Sequence, residues 1–269
     1  MKRIAILVAL VFGAGIAPAQ TASPKRPSAP ADQSAVIEKA RDQALSYTRQ
    51  LPNYICTQRT REIIQGGVVG QAMRGGMDLI EEQVGFVDNR ETRRVLNLNG
   101  HPVAADSPEQ QRGTPSRGEF GTILEVIFDP RTSADLKWER PTTLDRRRVY
   151  VFSYRVPQSK GYTLTESKQQ IQVPYQGLVY ADAETLTVVR IEMKITPQDI
   201  PKKSEYVNAL LTLDYKPAQV AGREFVLPAH FSLRYQMMRG MAWYEAEYSN
   251  YRKFSADATI NRTFAVEDI

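Results

Sequence analysis

The 269-residue sequence predicts a mainly β fold with two helices, in which a long-stranded antiparallel sheet curls as a half-barrel around them. Three observations predict it. Apolar and polar residues alternate strictly through the C-terminal half, the period of strands with one buried and one wet face. The alternating runs are long. The stretch 225–237 alone places Phe225, Leu227, Ala229, Phe231, Leu233, Tyr235 and Met237 on one face, opposite His230, Ser232, Arg234 and Gln236. Only two segments show helical spacing and no βαβ repeat occurs, which argues against a doubly wound fold. A long one-sided sheet has to cover its apolar face, by closing into a barrel or by curling around other elements.

The elements follow in chain order. Lys2 and Arg3, the apolar run Ile4–Ile16 and the small residues Ala17-Pro18-Ala19 make residues 1–19 a signal peptide cut after Ala19. That run is 13 residues long, short of the roughly 20 that cross a bilayer. Residues 20–33 are rich in Pro, Ser and Ala and read as a flexible linker to a single half-barrel domain, 34–269. Ile37, Ala40, Ala44, Tyr47 and Leu51 give one apolar stripe and predict a helix over 34–51. Ser34 or Asp32 can cap its start, and Pro52 stops it. Strands are expected over 53–64, 77–87 and 92–98, with Asn99-Gly100 as a hairpin turn. The polar segment 104–118 reads as a long mobile loop. Phe120, Ile123, Leu124, Ile127 and Phe128 predict a short buried helix over 119–128, ended by Asp129-Pro130. Further strands are expected over 149–156, 186–195, 206–216, 225–237 and 242–254. Short turns such as Asp182-Ala183-Glu184 make the sheet an antiparallel meander.

Composition narrows the function classes. The chain has 35 Lys+Arg against 30 Asp+Glu, and loss of the signal peptide removes two of the cations. So small and scattered an excess is no nucleic-acid footprint. The single cysteine, Cys56, cannot form an internal disulfide, so packing has to supply stability outside the cytoplasm. There is no P-loop, no GxSxG and no GxGxxG. Cys56 with His230 lacks an orienting third group for nucleophilic catalysis. His101, His230 and Cys56 are too few for a His/Cys metal site. Glu81-Glu82 and Glu245/Glu247 read as surface charge, and Arg146-Arg147-Arg148 as a solvated turn before a strand. Asn261-Arg262-Thr263 is a sequon by pattern alone. The set Tyr235, Met237, Met238, Met241, Trp243 and Tyr244 around Gly240 is either core packing or a cavity rim.

The segment GLVYADAETLTVVRIEMKI (177–195) resembles the hairpin of LolA/LolB-type outer-membrane lipoprotein-sorting proteins. VNALLTLDYKPAQVAGREFVLPAHFSLRY, which follows, looks like their next hairpin. The resemblance covers mainly 177–254. LPNYICTQRTRE and the 104–118 loop lie outside it. It implies a half-barrel around helices with an apolar cavity that holds acyl chains. The expectation is a non-enzymatic periplasmic or secreted protein that binds an acyl chain, a lipid or a lipidated protein and needs no cofactor. The alternative is an envelope interaction or sensor module without a small-molecule ligand. The cavity should lie between Ile123, Leu124 and Ile127 of the short helix and Leu211, Leu213, Phe231, Leu233 and Tyr235 of the sheet.

Overall fold

In the computed structural model the described residues are 32–66, 76–88, 90–112, 121–166 and 169–254. The expected signal peptide, most of the linker, Phe120 and the Asn261 sequon lie outside them. No helix among the described residues is long and apolar enough to cross a membrane.

Helix α1 spans Gln33–Gln50. The Asp32 carboxylate caps it, accepting from the Ala35 N–H at 2.9 Å. Leu51, forced into an extended conformation before Pro52, ends it. Strands β1 (Tyr54–Gly66), β2 (Gly76–Val87), β3 (Arg90–Leu98) and β4 (His101–Pro102) follow. At the β3–β4 turn, Asn99 and Gly100 both take positive φ, 52° and 82°, as the two-residue hairpin turn requires. Part of the segment read as a mobile loop is a built element. A 3-10 turn at Pro108–Arg112 lets the Gln110 amide accept from the Val95 N–H and donate to the Val95 C=O, both at 2.9 Å.

Helix α2 is Thr122–Phe128, stopped at Asp129-Pro130. Then come β5 (Asp135–Leu144), β6 (Arg147–Val156), β7 (Tyr162–Glu166) and β8 (Gln169–Val173). The long strands close the chain: β9 (Tyr175–Asp182), β10 (Val188–Ile195), β11 (Tyr206–Val220), β12 (Arg223–Met237) and β13 (Gly240–Lys253). Asp145 and Arg146 form a tight positive-φ turn between β5 and β6, with Arg146–Arg148 exposed.

The fold is mainly β with two helices and one large antiparallel sheet that does not close. Its eleven strands run β4-β3-β2-β1-β13-β12-β11-β10-β9-β6-β5, so β4 and β5 are its edges. Pairing of β1 with β13 joins the N-terminal meander to the C-terminal one. The inward face, both helices and the separate β7–β8 hairpin share one apolar core. Phe231 and Leu233 are fully buried, Arg234 is exposed, and His230 and Ser232 are half-buried. In β6 the alternation fails, because Val149 and Val151 are buried along with Tyr150, Phe152 and Tyr154.

Candidate functional site

The inward face has two halves of different chemistry. Across β9–β12 it is apolar: Val179, Ile191, Met193, Leu211, Leu213, Phe231, Leu233 and Tyr235 are all buried. Two local devices shape it. At Gly177 the strands approach so closely that a Cβ would sit 1.8 Å from the Glu192 carbonyl oxygen. The same carbonyl accepts from the Tyr154 hydroxyl at 3.0 Å. In β12 the register shifts beside Pro228, a place where a residue without an N–H does no harm. The Pro228 C=O accepts from the Tyr251 hydroxyl at 2.6 Å.

Two helices and a hairpin roof this half. Helix α1 brings Ala40 and Ala44, small enough for close approach, and the Tyr47 hydroxyl donates to the Val226 C=O. Helix α2 buries Leu124, Ile127 and Phe128, with Ile123 half-buried. The third element, the β7–β8 hairpin, was missed in the sequence. It buries Leu164 and Val173. Its Tyr162 hydroxyl meets that of Tyr235 at 2.6 Å, and Tyr206 donates to the Thr165 C=O at 3.0 Å. The Glu166 carboxylate accepts from the Glu205 N–H. The signal was present in YTLTE and QQIQV, two five-residue alternating runs.

Seven of the eight residues expected to line a cavity belong to this one apolar cluster, and Ile123 packs against it. A seam bounded by Gln43, Ala44, Tyr47, Leu124, Thr187, Val188 and Tyr215 holds about 10 Å³, room for one water at most. The hairpin supplies side-chain bulk that two short helices alone would not. The Tyr/Met set around Gly240 divides: Tyr235 and Met237 point in, while Met238 is exposed in the turn and Met241 and Trp243 lie on the outer face.

The other half, on β1–β3, is polar and nevertheless buried. Gln58, Thr60 and Glu82 have almost no exposure. Arg93 donates to Gln58 Oε1 at 2.6 Å and to Glu91 at 2.7 Å, and stands 3.8 Å from Glu82. Gln58 Nε2 donates to Thr60 Oγ1 at 3.0 Å. Arg112 reaches Glu62 at 3.2 Å and also Asp78. Reading Glu82 as surface charge was therefore wrong. Its strand turns it inward, against a cation that offsets the cost of burying a carboxylate.

The Cys56/His230 pairing weighed in the sequence does not assemble. Burial pushes the Cys56 thiol up to about 12, so it stays protonated at neutral pH and is a poor nucleophile. Cys56 faces inward on β1, whereas His230 lies on the outer face of β12 between Asp214 and Glu245. Burial likewise raises the Tyr235 and Tyr154 hydroxyls well above the usual phenol range. Among the described residues, no three His, Cys, Asp or Glu side chains gather as a metal site would need.

No protein-family model matches the sequence, and no curated protein matches it significantly. Solved structures do. A LolA superfamily protein from Nitrosomonas europaea is 12% identical with a TM-score of 0.40, over 86% of this chain and 97% of that one. A domain described as an outer membrane lipoprotein-sorting protein from Vibrio parahaemolyticus is 12% identical with a TM-score of 0.44, over 84% of this chain and 98% of that one. The lipoprotein LppX of Mycobacterium tuberculosis is 11% identical with a TM-score of 0.30, over 82% and 97%. The likeness is one of general layout, and no residue role or ligand is carried over from it.

Proposed function

We propose that the protein is an exported, non-enzymatic carrier that takes an acyl chain, of a lipid or a lipid-modified protein, between the sheet and its roof. One observation carries this reading. The apolar face of β9–β12 is covered not by a second sheet but by two helices and a two-stranded hairpin outside the main sheet's hydrogen bonding, the second helix only seven residues long. Elements attached at their ends can lift without breaking the sheet. With only about 10 Å³ open at the helix–sheet seam, entry of a chain requires such lifting. Four methylenes transferred from water would contribute roughly 3 kcal/mol, which has to exceed the cost of parting the roof. The reading needs no cofactor, and a periplasmic or secreted location follows from the signal-peptide pattern. Titration with a fluorescent fatty acid tests it, and native mass spectrometry of protein taken from its own envelope should show co-purifying lipid.

The closed seam is the observation that favours a second reading, an envelope interaction or sensor module without a small-molecule ligand. Saturable uptake of the probe, competed by unlabelled fatty acid, decides for the carrier. Absence of uptake decides for the module.

A further inference from the structure

The outer face of the sheet carries a feature that an interior carrier does not require. Among the described residues the exposed large hydrophobic side chains, Met77, Leu79, Leu210 and Met238 (57%, 50%, 47% and 72% exposed), all lie at one end of it. The strand register shows why they adjoin. Lys194 pairs with Leu210, Leu210 with Arg234, Arg234 with Trp243, Trp243 with Ile63, and Ile63 with Met77. This is one row across six strands, roughly 24 Å wide at strand spacing. Leu79 flanks it through Arg61 in the next row, and Met238 sits in the β12–β13 turn beyond its end. Within the row every charge is positive, and Arg234 lies 4.9 Å over the Trp243 ring. Lys202, Lys203 and Arg239 are exposed at the same end. The neighbouring row holds two carboxylates, both engaged: Glu245, 3.9 Å from Arg61 and 3.4 Å from His230, and Glu192, which accepts from the Tyr180 hydroxyl at 3.1 Å; Glu205 is exposed at the same end.

We propose that this end of the outer face docks on an anionic lipid bilayer. Contiguous exposed apolar surface marks an interaction site. Tryptophan, methionine and leucine set among arginine and lysine suit the headgroup boundary, where rings and aliphatic stems sink and cations meet phosphate. A groove of about 690 Å³ that includes Lys194, Leu178 and Leu210 adjoins one end of the row, and one of about 710 Å³ that includes Arg61 and Leu79 adjoins the other. The positive sign of the row favours phosphate-bearing lipid over an apolar protein partner. The inference does not depend on the interior taking up a chain.

Flotation of the full chain with vesicles containing phosphatidylglycerol, against vesicles of phosphatidylcholine alone, tests it. The protein should float with the anionic vesicles only, and Trp243 emission should shift to the blue. Leu79→Asp with Leu210→Asp should reduce flotation to background, while Ser249→Asp on β13 should leave it intact. All these side chains are exposed, and an unchanged melting temperature shows the fold preserved. Removing Lys202 and Lys203 should weaken binding about five-fold per cation and flatten its salt dependence. Failure of the wild type to float, or flotation that survives the double aspartate variant, overturns the proposal. Loss of a dimer in light scattering, with vesicle binding unchanged, would assign the face to a second copy of the chain instead.

Discussion

The two halves of the inward face share one sheet and one alternation, but they are sealed by different physics. Under the roof, Leu213, Phe231 and Leu233 remove apolar surface from water. On β1–β3, Gln58, Glu82 and Arg93 are removed from water as well, and only mutual hydrogen bonds and ion pairing make that tolerable. An apolar contact tolerates sliding and separation, because any apolar surface can replace another. A polar network does not, because a parted donor or carboxylate loses its specific partner. On the carrier proposal, the apolar half is the one that opens for a chain, and the polar half is the fixed frame.

The largest effects should come from cutting each half at its centre. Phe231→Ala should destabilise by about 3–5 kcal/mol through the cavity it leaves, and Arg234→Ala, three residues on and facing outward, by under about 1 kcal/mol. Denaturant unfolding measures both, and equal effects would refute the register. Arg93→Ala should cost a similar 3–5 kcal/mol, since it strands buried carboxylates. If it costs no more than a surface change, the polar half is no frame and the contrast collapses. Gly177→Ala should cost about 1–3 kcal/mol by forcing β9 from β10, read as a drop in denaturant midpoint. A neutral outcome would mean that the pinch at Glu192 relaxes freely. The smallest effect belongs to Gln110→Ala, which removes two bonds to Val95 and should cost about 1 kcal/mol, with faster amide exchange at Val95 as its local signature.

The apolar half was legible in the sequence because hydrophobic alternation is the signal that periodicity detects. Ile191, Leu211, Leu213, Phe231 and Leu233 all announced their face. The polar half was not, because QRTRE (58–62) is polar at every position and its inward and outward members look alike. Which of them are buried depends on Arg93, some thirty residues away in sequence and brought close by the pairing of β1, β2 and β3. The β7–β8 hairpin escaped for a different reason. Its strands are five residues each, and only Leu164 and Val173 are fully buried. Without it the roof looked too small to fill the half-barrel, and a standing cavity was expected between Leu124 and the sheet.

If the apolar half opens to admit a chain, bridging the roof to the sheet has to block entry. The Glu166 carboxylate accepts from the Glu205 backbone N–H where the hairpin meets the start of β11, so a Glu166→Cys/Glu205→Cys pair lies within reach of a short, reductively cleavable bis-maleimide cross-linker. Cys56 is buried and should not interfere. Uptake of a fluorescent fatty acid is then followed in the bridged and reduced forms of the same protein. The carrier account predicts saturable uptake in the reduced form, strong suppression when bridged, and recovery on reduction. Uptake that is identical in both forms, or absent from both, would contradict it.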